Sequence, residues 1–273
     1  MSTKLDIGLI QLCSSADVEE NIAATSALIK QAAAAGARLI LTPENTALFE
    51  LNTRRLFEKA QPEQQNKALK TFTRLASDLN IWLLVGSLAV KLSGKKRANR
   101  SFLISPKGIA ARYDKIHMFD VDLKGGESYR ESKNFQAGSK AVVGETPWGP
   151  LGMTVCYDLR FPYLYRRLAH QGAGMIAVPS SFTAPTGRAH WHILLRARAI
   201  ETGAFILAPA QAAQHPDGRK TFGHSLVVDP WGGVLLDASD IESGAFNITL
   251  DLTKVEKARN AIPALKHDRE LDI

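Results

Sequence analysis

Short apolar runs alternate along the chain with longer stretches of helical period. Residues 5–13 read as a buried strand, 18–35 as an amphipathic helix stopped at Gly36, and 38–42 as a second strand, which together make a β-α-β unit. A second helix is predicted over about 62–79, with Pro62 suited to its first turn. It leads into 81–90, a continuous apolar run with the character of a strand covered on both faces. Residues 101–105 and 108–113, joined at Pro106 and Lys107, predict a hairpin, and the turn at 147–150 precedes another apolar run from Leu151. The β-α alternation then resumes: a helix over 162–170, a strand at 175–178, a helix over about 190–201 and a strand at 204–210. Short strands near 224–228, 234–238 and 245–251 precede a last helix and polar tail over 253–273. Strands paired with helices on an outer face, twice over, predict an α/β fold in which two sheets pack together with helices outside. No linker composition or internal repeat interrupts this pattern, so one domain is expected over 1–273.

Three apolar runs end on an ionisable residue. In LGMTVCYDLRFP (151–162) the residue is Cys156, which at a strand mouth could present its sulfur with the Tyr157 N–H aimed at a developing oxyanion. A cysteine in an apolar strand is more often a small buried hydrophobe. In LILTPEN (39–45) the residue is Glu44, which could equally cap the following helix. In IAARYDKIHMFD (109–120) it is Lys115, which could equally be a solvated surface charge. Each reading is open alone, but all three sit where open sheets place their ligands.

Taken together with their neighbours, Pro-Glu-Asn, Asp-Lys-Ile-His and Cys-Tyr-Asp-Leu-Arg-Phe-Pro, these positions resemble the nitrilase superfamily of carbon–nitrogen hydrolases, from the first strand to the strand near Asn247. The resemblance implies a four-layer α-β-β-α sandwich of two mixed sheets. It also implies a catalytic triad of Glu44, Lys115 and Cys156, with an auxiliary glutamate at Glu131 in Tyr-Arg-Glu-Ser, for which Glu127 competes. Cys156 would attack an amide carbonyl, Glu44 would carry the proton to the departing amine and activate water, and Lys115 with the Tyr157 N–H would hold the oxyanion. Glu131 would steady Lys115 or the water.

Composition narrows the setting. With 45% hydrophobic residues in 273, the chain can build a sizeable core. The net charge of +7 is scattered. Its densest cluster, Lys91, Lys95, Lys96, Arg97 and Arg100, flanks a Ser-Gly turn and reads as a solvated hairpin tip, so no nucleic-acid partner is expected. A modest positive field suits a small anionic amide substrate. No run approaches the ~18 apolar residues of a membrane span and no signal pattern opens the chain, so a cytoplasmic protein without a membrane partner is expected. The two cysteines, Cys13 and Cys156, suit a reducing compartment, and Cys13 is assigned to the core. A metal site from His190 and His192 is disfavoured, because positions i and i+2 of a helix face apart, and no nucleotide motif is present. No metal and no cofactor are expected.

Within the superfamily, the segments PSSFTAPTGRAHW (179–191), RARAIE (196–201) and AQAAQHPDGRKTFGHSLVVDPW (210–231) resemble the branch that cleaves deaminated glutathione to 2-oxoglutarate and cysteinylglycine. The alternatives are an omega-amidase acting on 2-oxoglutaramate, another small-amide hydrolase, and an interaction module without turnover, against which the intact Glu, Lys, Cys set argues. A substrate carboxylate calls for a planar donor, for which Arg160 and Arg188, in the loop after Ser180 and Ser181, are the candidates, and Ser181 is a further candidate for substrate binding. Tyr163 stands where related sequences often carry Glu, which leaves the contacts at that helix start open. A homodimer or larger homo-oligomer is expected.

Overall fold

The computed structural model describes residues 3–123, 128–241 and 243–269. Strand β1 (Lys4–Gln11) is followed by α1 (Val18–Ala34), β2 (Leu39–Leu41), α2 (Thr53–Lys59) and α3 (Lys67–Asp78). Then come β3 (Trp82–Lys91), β4 (Arg97–Ser105), β5 (Gly108–Asp114), the short hairpin β6 (Asp120–Asp122) and β7 (Ser128–Arg130), β8 (Val142–Gly144) and β9 (Leu151–Met153). The second half holds α4 (Pro162–His170), β10 (Met175–Ala177), α5 (Ala184–Thr202), β11 (Phe205–Ala208), a second hairpin β12 (Ala212–Gln214) and β13 (Lys220–Phe222), β14 (Leu226–Val228), β15 (Val234–Asp237), β16 (Gly244–Asp251) and α6 (Thr253–Ala261). Two six-stranded mixed sheets result, ordered β16-β1-β2-β3-β4-β5 and β15-β14-β11-β10-β9-β8.

Side-chain alternation decides the layering. Along the first sheet, Leu39, Leu41, Leu84 and Leu103 belong to the core shared with the second sheet, while Ile40, Leu83, Val85, Phe102 and Ile104 join Ile22, Ile29 and Phe72 beneath α1 and α3. On the other side, Leu164 and Leu168 of α4 and Trp191, Leu195 and Ala199 of α5 close over the second sheet. The order is helix, sheet, sheet, helix, the expected sandwich, and each fully buried Leu, Ile or Phe stabilises it by roughly 2 kcal/mol. Gly8 lets α1 sit this close to β1, because a Cβ there would lie 2.9 Å from the Cβ of Ala32. Asp17 starts α1 by accepting the Glu20 N–H, and Gly36 ends the following turn at φ 95°.

Several expectations give way. The helix read over 62–79 is a 3-10 turn, Glu63–Gln65, then α3, because Asn66 accepts the Leu69 N–H and caps a new helix. Helix α2, with only Leu56 buried, is too short to show a period. Helix α5 begins at Ala184, with Pro185 in its first turn, six residues before the expected start, so Arg188 lies on a helix and not in a loop. The basic cluster is solvated only in part. Arg97 is 5% exposed, donates to the Phe57 carbonyl and lies 4.3 Å from that ring's centroid, and Arg100 pairs with Asp114 and Glu63. Cys13 is half-buried rather than core. The C-terminal segment is tied down: Arg259 donates to the carbonyls of Thr202 and Ala173, and Arg166 binds Asp268.

Candidate active site

Four strand ends deliver the site. Glu44 follows β2, Lys115 follows β5, Cys156 follows β9 and Ser181 follows β10, each where the backbone leaves a strand at its C-terminal end. At Cys156 the chain turns sharply, with φ 49°, a region costly for a residue carrying a side chain, and its N–H donates to the Pro179 carbonyl at 2.9 Å. One 3-10 turn, Cys156–Arg160, follows, and the thiol lines a cleft with a cavity volume of about 740 Å³.

The charged groups interlock inside it. Lys115 Nζ lies 2.9 Å from Glu44 Oε1 and 2.8 Å from Glu131 Oε2, with Lys115 2% and Glu44 3% exposed. Asn99 Nδ2 donates to Glu44 Oε1 at 2.9 Å and to Glu131 Oε1 at 3.1 Å, and the Ser181 N–H and hydroxyl donate to Glu44 Oε2. Phe119 N–H adds a bond to Glu131 at 2.7 Å. Burial on its own raises the pKa of Glu44, but the Lys115 ammonium and the Ser181 hydroxyl outweigh it and hold the carboxyl below the usual range. For Lys115, burial works against the charge, yet Glu131 and Glu44 more than offset it and raise the ammonium's pKa well above the ordinary lysine value. Burial and the Glu44 carboxylate push the Cys156 thiol well up, against the opposing pull of Lys115. The resting arrangement is therefore a thiol beside a carboxylate and an ammonium.

A buried carboxylate joins the lysine and cysteine segments. Asp158 accepts from Tyr113 Oη at 2.6 Å, Val155 N–H at 2.9 Å and His117 N–H at 3.0 Å, and His117 Nδ1 lies 2.7 Å from it. Tyr163 Oη hydrogen-bonds the other ring nitrogen of His117, so the unusual tyrosine at the α4 start extends this chain. Beneath the turn, buried Arg198 donates from Nε and Nη2 to the Leu159 carbonyl at 3.0 and 2.8 Å.

Residues 6–260 match the carbon-nitrogen hydrolase family model. The chain belongs to the carbon-nitrogen hydrolase family. It is 42% identical over 268 residues to a protein of Yersinia enterocolitica named deaminated glutathione amidase, covering 97% of this chain and 93% of that one. The crystal structure of the Caenorhabditis elegans NitFhit protein superposes with a TM-score of 0.90 at 32% identity, over 97% of this chain and 65% of that chain. Saccharomyces cerevisiae Nit3, a member of branch 10 of the nitrilase superfamily, superposes with a TM-score of 0.86 at 26% identity over 96% of both chains.

The hydrolase cleft collects Glu44, Lys115, Glu131, Cys156, Tyr157 and Ser181, but neither Arg160 nor Arg188 lines it. The Arg160 guanidinium lies over Tyr157 and Phe182, which do line the cleft, and reaches His190 Nδ1. Arg188 is exposed on α5 and borders a separate depression beside β13. The competing Glu127 lies outside the described residues. Sequence reasoning missed Asn99, Asp158 and Arg219. Arg219, in the turn between β12 and β13, lines the cleft with its guanidinium carbon 4.9 Å from the Phe49 centroid and 5.2 Å from that of Tyr129. Its signals are the Asp-Gly-Arg of a tight hairpin turn and its place within the 210–231 segment that carries the branch resemblance. Away from the cleft, His192 and His224 both hydrogen-bond Asp237, a cluster that no local spacing announced. Among the described residues, no helix is long and apolar enough to cross a membrane.

Proposed function

We propose that this hydrolase cleaves the amide bond of deaminated glutathione through a Cys156 thioester, releasing cysteinylglycine and then 2-oxoglutarate. The observation that carries the reading is a carboxylate, an ammonium and a thiol meeting in one cleft, in a chain 42% identical along nearly its whole length to an enzyme named for that substrate. Cys156 Sγ attacks the carbonyl carbon as its proton passes to Glu44. Lys115 and the Tyr157 N–H stabilise the tetrahedral oxyanion. Glu44 returns the proton to the amine nitrogen as the C–N bond breaks, then takes a proton from the water that cleaves the thioester. Glu131 and Asn99 hold Lys115 and Glu44 in register through the bonds described above. In this reading one domain performs the reaction, since both sheets contribute side chains.

Incubation with deaminated glutathione, 2-oxoglutaramate and a neutral aliphatic amide tests the proposal, with kcat/KM compared and the acyl-enzyme trapped for intact-mass analysis. The highest kcat/KM is expected for deaminated glutathione, with the added mass on the peptide holding Cys156; preference for 2-oxoglutaramate would replace this reading with an omega-amidase. The electrostatics add a pH expectation. Because the pKa of Glu44 is lowered, its base form persists on acidification, and because that of Cys156 is raised, the thiol persists on the alkaline side. The profile of kcat/KM for folded enzyme should stay flat between about 4.5 and 9.0, the ordinary glutamate and cysteine values that these two shifts move outward. A limb near pH 6.5, the ordinary histidine value, would transfer the proton shuttle to a histidine.

The protein is also proposed to assemble as a homodimer or larger homo-oligomer. Ile193 and Ile200 of α5 are 70% and 55% exposed, and Trp231 and Tyr163 add further exposed apolar surface. A cysteine content of two, Cys13 and Cys156, is in keeping with the cytoplasmic setting proposed here.

A further inference from the structure

Among the cations lining the cleft, Arg219 stands apart. Lys115 is committed to Glu44 and Glu131, and Arg130 is paired with Asp122. Lys220 is exposed. No ion pair engages the Arg219 guanidinium among the described residues, and its Nε is buried without a hydrogen-bond partner. The group is nevertheless held in place. The Phe49 and Tyr129 rings lie against it, one from the loop after Glu44 and the other from β7. Its backbone is fixed as well: Asp217 Oδ1 accepts the Arg219 N–H at 3.0 Å, and the Arg219 carbonyl accepts the His215 N–H at 2.8 Å. His215 in turn stacks on Phe49 with ring centroids 3.9 Å apart. A planar donor fork, ordered by aromatic faces and without an anionic partner among the described residues, has already lost side-chain freedom and part of its hydration. Such a fork matches a carboxylate through two parallel N–H···O bonds.

We propose that Arg219 is the residue that recognises a substrate carboxylate, selecting acidic over neutral amides. The proposal rests on the amidase reading of the cleft. The carboxylate could belong to the acyl side or to the leaving group, and the assay separates the two. Wild type, Arg219→Met and Arg219→Lys are compared on four amides: glutaramate, with an acyl-side carboxylate; pentanoyl-cysteinylglycine, with a leaving-group carboxylate; pentanamide, with neither; and deaminated glutathione, with both. Reaction is followed as turnover and as trapped acyl-enzyme.

Arg219→Met is expected to lower kcat/KM, mainly through KM, by roughly 10- to 100-fold for deaminated glutathione and for one of the two singly charged amides, while pentanamide changes by less than about twofold. Arg219→Lys should recover part of the loss, since it restores charge without the fork. Loss on glutaramate places the carboxylate on the acyl side, and loss on pentanoyl-cysteinylglycine places it on the leaving group. An equal loss on all four amides, or no loss on any, overturns the proposal and leaves Arg219 as a brace between Phe49 and Tyr129. If wild type fails on deaminated glutathione but Arg219→Met still collapses the ratio of acidic to neutral amides, the substrate reading falls and the Arg219 proposal stands.

Discussion

Cys156→Ala is expected to fold normally and to show no measurable turnover. The thiol is 7% exposed and packs within the inter-sheet core, so replacing one sulfur by hydrogen removes little volume and costs about 1 kcal/mol or less. The chemistry has no substitute. No other nucleophile sits on the turn facing both Glu44 and Lys115, and without an acyl-enzyme the reaction must proceed by direct attack of water. Cys156→Ser, which offers a poorer nucleophile on the same turn, should be nearly as inactive. Cys13→Ala should remain active, because Cys13 lies outside the cleft lining, near Gln214 and His215. The checks are kcat on purified protein and thermal melting of all three variants. If Cys156→Ala kept as much as about a tenth of wild-type turnover, the nucleophile assignment would fail.

The contrast between these cysteines shows what local sequence carries. Glu44, Lys115 and Cys156 each end an apolar run and bring short motifs with them, so their positions at strand ends could be read one segment at a time. The layering was legible for the same reason: Leu39, Ile40 and Leu41 alternate between two cores, and helices of clear period flank them. What escaped depends on partners distant in sequence. Asn99 lies inside β4 and looks like a polar interruption; only the fold brings Glu44 and Glu131 to its amide. Asp158 reads as part of a charged turn until Tyr113 and His117 arrive from another segment. The hairpins that shape the cleft have strands of three residues each, too short for any periodicity. The start of α5 is also hidden: its Ala-Pro suits a loop as well as a first helical turn, and only the fold places Arg188 on an exposed helical face.

Lys115→Met should damage both function and stability, which sets it apart from the cysteine variant. In the native cleft the ammonium lies between two carboxylates, Glu44 and Glu131, and all three are largely removed from water. Removing it withdraws the oxyanion partner, with an expected loss of roughly a hundredfold or more in kcat. It also leaves two buried carboxylates facing each other across Asn99, and breaking a buried pair in this way costs about 3–5 kcal/mol. The pH dependence identifies the cause. In the variant, burial and the neighbouring Glu131 charge, no longer opposed by the ammonium, raise the folded-state pKa of Glu44 above its unfolded value, so the folded protein binds more protons than the unfolded chain. Stability from such a raised group is present at low pH and is lost as pH rises through the folded-state value. The melting temperature of Lys115→Met should therefore lie closest to wild type near pH 5 and furthest below it near pH 8. Adding Glu44→Gln to Lys115→Met should recover much of the stability at pH 8 and none of the turnover, since it removes the repulsion and the base together. A deficit independent of pH, or a double variant no more stable than the single one, would mean that Lys115 supports the fold through packing of its alkyl chain and not through charge.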